Sequence, residues 1–291
     1  MKPPPFSYHD PRSLDDALEL LVSLDDAKLL AGGQSLMPML NMRFIMPEHV
    51  IDLNRIPDLS AIEENGGGIR IGAMVRQSEL EFSDLIRSRC PLMSEALRLV
   101  GHRPTRNRGT MGGSLCNLDP AAELPVVAAA LDARIGVRSG RGERSLAMSE
   151  FPAFYMTPAI EADEIVTHVE FDPWPKGHGF AFVEFARRHG DFAIVAAAAL
   201  VVLEGDGTVS RASITLGGVG FGPLRCSDAE TAVVGSGGGE EIFRKAAETC
   251  RGIDAMEDVH ASSAYRRHLA ETLVYRALQS AFDRAASGSS N

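Results

Sequence analysis

The sequence is short of cysteine, of long apolar runs and of basic charge, and each shortage removes a class of protein. Its four cysteines, Cys90, Cys116, Cys226 and Cys250, are scattered, with no C-x-x-C pair. That spacing argues against a disulfide framework, a structural zinc site or an iron–sulfur cluster held by this chain. It suits a reducing, cytoplasmic compartment. The apolar run Ile194 to Leu203 is too short to span a bilayer. Met1-Lys2-Pro3-Pro4-Pro5 has no apolar signal core, so export by a secretory leader is not expected. The net charge is −10, which disfavours a nucleic-acid or anionic-membrane surface. An acidic chain that binds a phosphate ligand does so through backbone N–H groups and a few local arginines.

What is present is glycine in two telling places. Thr110-Met111-Gly112-Gly113-Ser114-Leu115-Cys116-Asn117-Leu118-Asp119-Pro120 sets two adjacent glycines between hydroxyl residues, followed by an amide, an acid and a proline. Upstream, Lys28-Leu29-Leu30-Ala31-Gly32-Gly33-Gln34-Ser35-Leu36 repeats the chemistry. Glycine allows positive φ and close approach of backbone to a ligand. Hydroxyls and exposed N–H groups of such turns bind anions without lysine. One Gly-Gly pair is commonly just a turn. Two, each read at a strand end beside similar side chains, are expected to face each other and clamp one dinucleotide pyrophosphate.

A chain of 291 residues is long enough for about two domains with full cores. The proline arm anchors through Phe6 and Tyr8. Ser13 caps a helix whose apolar face is Leu14, Leu18, Leu21 and Val22. Strands are expected at Lys28 to Ala31 and Val50 to Leu53, with a brief helix over Met37 to Arg43. Together they make a small α/β subdomain over residues 1–58. A second subdomain, 59–175, has strands at Ile69 to Ile71, Arg134 to Val137 and Ile165 to Phe171. Its helices are read at Leu80 to Ile86, Leu92 to Val100 and the very apolar Ala121 to Leu131. Asp172-Pro173-Trp174-Pro175 closes it. Over 176–286, the β-like runs Ala181 to Ala186, Ala193 to Leu203 and Ala212 to Leu216 predict an antiparallel sheet. Helices over Glu240 to Cys250 and Ser262 to Ala285 follow, and residues 287–291 read as a disordered tail.

With both glycine segments placed, the chain resembles the FAD-binding medium subunits of molybdenum hydroxylases. Aerobic carbon monoxide dehydrogenase and the flavin domain of xanthine dehydrogenase are examples of that family. The likeness is carried by Met1 to Leu21, Leu30 to Leu40, Gly101 to Glu123, Asp163 to Val169, Arg187 to Val195 and Tyr265 to Leu278. It implies an α+β chain: a two-part FAD-binding domain of the PCMH/vanillyl-alcohol-oxidase-like type, then a smaller C-terminal domain with an antiparallel sheet and helices. It implies FAD as cofactor, with Leu30, Ala31, Gly32, Gly33, Gln34 and Ser35 around the pyrophosphate and Leu36 beside the flavin end. Thr110, Gly113 and Ser114 would complete the wrap, and Asn117 would support the turn. Gly72 would let backbone approach the cofactor. Glu123 stands where the xanthine dehydrogenase domain has an aspartate on the cofactor's ribitol or ribose hydroxyls, one methylene shorter. Ile165 or Val166 would pack on the adenine or flavin edge. Arg188, Gly190, Asp191 and Phe192 match an Arg-x-Gly-Asp-aromatic segment near the isoalloxazine, where the family often has tyrosine.

The implied function is electron transfer within a molybdenum hydroxylase. A large molybdenum-cofactor subunit would oxidise substrate, and a small [2Fe–2S] subunit would deliver electrons to FAD on this chain. The assembly would be a dimer of heterotrimers. Two other classes stay open: a self-contained FAD oxidase, and a non-catalytic binding or assembly protein that keeps the fold. His102 and His189 titrate near neutrality, but a flavin carries its own chemistry, so both read as supporting residues. Asp119 and Glu123 fit cofactor and loop roles better than a paired-carboxylate site. Arg103, Arg106 and Arg108 read as a solvated or salt-bridged face with a minor electrostatic role. Gly217-Gly218-Val219-Gly220-Phe221-Gly222 lacks the dinucleotide spacing and is followed by Pro223, so it reads as a structural loop.

Overall fold

The computed structural model describes residues 1–288. The chain opens with β1 (Ser7–His9), α1 (Leu14–Ser23), β2 (Ala27–Leu30), α2 (Leu36–Met42) and β3 (His49–Asp52). The Ser13 hydroxyl accepts from the Asp16 N–H at 3.1 Å, as an N-cap should. The strands form a parallel sheet in the order β1-β3-β2. Leu14, Ala17 and Leu18 of α1 pack with Ile51, Leu53, Ile56 and Leu59 in a small core that also takes in Met74 and Ile165.

Next come β4 (Ile62–Asn65) and β5 (Gly68–Gly72), joined by a tight turn with Gly66 and Gly67 at positive φ. Helices α3 (Gln77–Phe82), α4 (Asp84–Arg89), α5 (Pro91–Leu97) and α6 (Arg103–Arg106) follow. The single helix expected over Leu80 to Ile86 is in fact two. Ser83 leaves helical geometry and its hydroxyl accepts from the Ile86 N–H, starting α4. Serine competes for backbone donors in this way and so favours caps over helix interiors.

Helices α7 (Met111–Asn117) and α8 (Glu123–Ala130) precede β6 (Arg134–Ser139), β7 (Gly142–Ala147), the small hairpin β8 (Pro152–Phe154) and β9 (Thr157–Pro158), and β10 (Ile165–Phe171). The larger sheet is antiparallel, ordered β4-β5-β10-β6-β7. Ile69, Ile71, Ile135, Val137, Val169 and Phe171 supply its share of a core completed by α5, α7 and α8.

The last unit is a four-stranded antiparallel sheet of β11 (Gly179–Phe185), β12 (Val195–Leu203), β13 (Val209–Gly217) and β14 (Leu224–Arg225). It is followed by α9 (Ser227–Val233), α10 (Glu240–Glu248) and α11 (Ser263–Gly288). β12 reads Val-Ala-Ala-Ala-Ala-Leu-Val-Val-Leu because both of its faces are covered. Ala196, Ala198 and Leu200 join the core of the larger sheet. Val195, Ala197, Ala199 and Val201 lie in a separate core with Leu269, Leu273, Val274 and Leu278 of α11. Small residues on the sheet let α11 approach closely: on β11, a Cβ at Gly179 would fall 1.7 Å from the Ala281 carbonyl oxygen. α11 runs through Ser287 and Gly288, which were expected to begin a disordered tail. Residues 289–291 of that expected tail lie outside the described residues.

Candidate functional site

The first glycine segment is a loop that leaves its backbone donors without protein partners. It leaves β2 at Leu30, reverses at Gly33 with φ +72° and enters α2 at Leu36. The N–H groups of Gly32, Gly33, Gln34, Ser35 and Leu36 meet no acceptor among the described residues. Ser35 sits at the N-cap of α2 but its hydroxyl makes no capping bond. The Gln34 amide turns back to the Gly32 carbonyl at 3.3 Å. Backbone donors left without protein partners are held by water or by a ligand, and a row of them in a tight turn is an anion-binding concavity.

The second segment differs from its expected form. It is no turn at a strand end: Thr110 is the N-cap of α7, and the glycines occupy that helix's first turn. Its N–H groups are already engaged. Met111 donates to the Val75 carbonyl at 3.0 Å and Gly112 to that of Ala73 at 2.8 Å. Gly113 donates to the Thr110 hydroxyl at 3.0 Å, and Ser114 to the Thr110 carbonyl at 3.1 Å. The glycines here serve close packing instead. A Cβ on Gly112 would lie 2.6 Å from the Ala73 Cβ, and one on Gly113 would lie 2.7 Å from the Thr110 hydroxyl. Anion-binding capacity therefore rests with the first loop.

The two segments lie directly against each other. A Cβ on Gly32 would fall 2.2 Å from the Arg108 carbonyl oxygen and 2.8 Å from the Gly109 Cα. A Cβ on Gly113 would come 3.4 Å from that of Ala31. Two side chains that carry no motif in the sequence bridge the pair. Asn54 donates from Nδ2 to the Ala31 carbonyl at 2.9 Å, and Arg76 donates to both Asn54 Oδ1 and the Arg108 carbonyl. Gln77 adds a backbone bond to the Gly109 carbonyl at 2.9 Å.

The remaining expected site residues are placed variously. Gly72 is tight against protein: a Cβ there would meet the Leu59 carbonyl oxygen at 2.3 Å, so packing alone accounts for the glycine. Ile165 is 1% exposed, in the small core against which Ala31 packs, and Val166 is buried in the larger core. Asn117 closes α7 with no side-chain hydrogen bond among the described residues, so it gives the turn no support of that kind. Phe192 is 62% exposed. Its loop rests on the segment leading to α6, because Gly190 at φ +84° leaves no Cβ to strike the His102 ring; the rings of His102 and His189 lie 6.3 Å apart. Arg106 is structural, paired with Glu81 at 2.8 Å with both side chains 11% exposed. The Gly217 to Gly222 segment is a structural loop, tied by the Gly218 N–H to the Pro120 carbonyl at 2.7 Å.

Glu123 is 4% exposed at the start of α8. Burial, with the Glu184 carboxylate next in effect, pushes its carboxyl up to about 8. Glu184, on β11, is itself raised to about 7 by burial, and its Oε2 is buried without a partner. Asp119 is raised by burial too, opposed by the Ala121 N–H, which donates to it at 2.9 Å. Glu123 and Glu184 can hold protons at neutral pH and donate or accept a hydrogen bond.

Two family models match the chain. Residues 4–174 match the FAD binding domain in molybdopterin dehydrogenase, and residues 180–281 match the CO dehydrogenase flavoprotein C-terminal domain. The chain is 42% identical over 287 residues to the 6-hydroxypseudooxynicotine dehydrogenase complex subunit alpha of Paenarthrobacter nicotinovorans, covering 98% of this chain and 97% of the relative. It is 36% identical to the carbon monoxide dehydrogenase medium chain of Hydrogenophaga pseudoflava, covering 98% of this chain and all of that one. A solved carbon monoxide dehydrogenase from the same organism superposes with a TM-score of 0.94 at 36% identity, covering 98% and 99% of the two chains. Quinoline 2-oxidoreductase from Pseudomonas putida 86 superposes equally well, at 35% identity and with 98% and 99% coverage.

Proposed function

This chain belongs to the family of FAD-binding flavoprotein subunits of molybdopterin dehydrogenases, and from that membership we propose that it is the FAD-carrying electron-transfer subunit of a molybdenum hydroxylase. The observation that carries the reading is the row of unpartnered N–H groups from Gly32 to Leu36, in a loop packed against Gly113 and the Arg108–Gly109 backbone. That row fits a pyrophosphate, which needs donors more than it needs cations. Bound there, FAD would supply the redox chemistry, taking up electrons and passing them on.

The protein's own part is to bind and orient. Leu30, Ala31, Gly32, Gly33, Gln34 and Ser35 hold the pyrophosphate, with Leu36 toward the flavin end. Thr110 fixes α7 so that Gly113 and Ser114 close the cradle, and Asn117 and Gly72 belong to its walls. Glu123 meets a sugar hydroxyl of the cofactor, Ile165 backs the cradle through the small core, and exposed Phe192 shields the isoalloxazine from water. Electrons arrive from [2Fe–2S] clusters on a small subunit, after substrate oxidation on a large molybdenum-cofactor subunit, in a dimer of heterotrimers. Residues 1–58 and 59–175 form the two FAD-binding subdomains and 176–286 the C-terminal domain. No helix among the described residues is long and apolar enough to cross a membrane. The four free cysteines support a cytoplasmic setting.

The test is the visible spectrum of this chain purified with its neighbouring subunits. We expect a flavin envelope, FAD in the acid extract, and loss of both in Gly32→Val, whose side chain would collide with the Arg108 carbonyl. Gly140→Ala, at an exposed glycine with nothing near its Cβ, keeps both. An unmutated complex without FAD overturns the reading.

A further inference from the structure

The cradle's two walls come from different parts of the chain and meet backbone to backbone at Gly32 and Arg108–Gly109. Ala31 to Leu36 leaves the parallel sheet, whereas Arg108 to Ser114 follows the helices beside the antiparallel one. Something must hold that contact. Asn54, in the turn after β3, is the one side chain that donates to the carbonyl of Ala31 among the described residues. Its own orientation is fixed by Asp52, whose Oδ1 accepts from the Asn54 backbone N–H at 2.9 Å and from Nδ2. That leaves Oδ1 of Asn54 facing a guanidinium, the arrangement an amide prefers when one neighbour is an acceptor and the other a donor. The guanidinium is that of Arg76, which also reaches the Arg108 carbonyl. The Arg76 backbone bridges to Thr110, the cap of α7.

We propose that Asn54 and Arg76 act together as a positioning staple, linking Ala31 to Arg108 and so holding the two walls of the pyrophosphate cradle together. The proposal rests on the FAD reading above. The chain of bonds runs Ala31 carbonyl, Asn54 amide, Arg76 guanidinium, Arg108 carbonyl, so each link depends on the other. Without the staple the loop carrying the free N–H groups can drift from α7, and those donors no longer converge. Neither residue touches the reacting atoms. Their effect is on how tightly the cofactor is held.

The test is a double-mutant cycle on FAD affinity, measured by titrating FAD into the flavin-stripped, assembled complex. Asn54→Ala and Arg76→Ala should each weaken FAD binding about tenfold, the scale of one well-placed hydrogen bond. The double variant should be no weaker than the worse single one, because breaking either link opens the same staple. Two conservative variants separate positioning from general stability. Asn54→Asp keeps an acceptor for Arg76 but loses the donor to Ala31, and should lose as much affinity as Asn54→Ala. Arg76→Lys keeps one of the two contacts and should recover part of the loss seen in Arg76→Ala. Unchanged FAD affinity in the single variants overturns the staple, as do additive losses in the double variant or an Asn54→Asp variant that binds like the parent. Failure of the underlying FAD reading is distinguishable, because it shows as absence of FAD from the unmutated complex.

Discussion

At the scale of single residues, the most consequential group outside the glycine loop is Glu123. A carboxyl buried at 96% beside another carboxyl keeps its proton, because ionising it costs both hydration and like-charge repulsion. The folded protein therefore holds protons on Glu123 and Glu184 that the unfolded chain, with an ordinary value near 4.5, has released. In that window the native state binds more protons than the unfolded one, so stability falls as pH rises. We expect denaturant midpoints of the flavin-free protein to decline from about pH 4.5 to about pH 8. The decline should flatten in Glu123→Gln and Glu184→Gln, which carry no charge to bury. An unchanged slope in both variants would place the titration elsewhere. A neutral Glu123 can donate as well as accept a hydrogen bond, which an ionised carboxylate cannot.

At the scale of elements, α11 is fastened by more than apolar contact. Arg266 is 3% exposed; it pairs with Asp258 at 2.6 Å and donates to the carbonyls of Gly218, at 2.6 Å, and Ile194. It thus ties the helix to the loop after β13 and to the start of β12. Arg266→Met would strip two buried carbonyls of their donor and a carboxylate of its partner, a loss of about 3 kcal/mol. A lower urea midpoint at unchanged slope would report it; no shift would mean that the carbonyls find other donors. Nothing in the tyrosine–arginine–arginine run around it announced which arginine is buried, because helical periodicity gives apolar faces, not the partners waiting on a neighbouring loop. The same limit explains what was legible of the site. Both glycine segments and their approach to each other could be read, since glycine at close backbone contact is a local requirement. That the second is a helix whose first N–H groups are spent on Val75 and Ala73 could not be read, because those acceptors come from another strand end. Asn54 and Arg76 were invisible for the same reason: each sits in an ordinary stretch and matters only through partners far along the chain.

At the scale of the whole molecule, β12 decides how many units unfold separately. A strand buried on both faces is unusual in an antiparallel sheet, which commonly leaves one face to water. Here Phe182, Ala196, Ala198 and Leu200 complete the core under the larger sheet, while the alternate residues pack beneath α11. Removing the C-terminal unit would therefore uncover the apolar side of α5 and α8 as well as its own sheet. Ser213 reinforces the join, its buried hydroxyl donating to the Ala130 carbonyl at 2.7 Å. Arg225 does so as well, donating to the Asp132 carboxylate at 2.7 Å. The chain divides into regions along the sequence, yet its cores interlock in space. We expect the flavin-free chain to unfold in one calorimetric transition, with the van't Hoff enthalpy equal to the calorimetric one. A chain ended after Trp174 should expose that uncovered face and aggregate instead of binding FAD. Two resolved transitions, or a soluble truncated chain that binds FAD, would mean that the shared core contributes little. Interlocking has a functional reason. The loop of Phe192, in the C-terminal unit, leans on His102, and under the FAD reading proposed above only a rigid join would hold that exposed aromatic over a flavin.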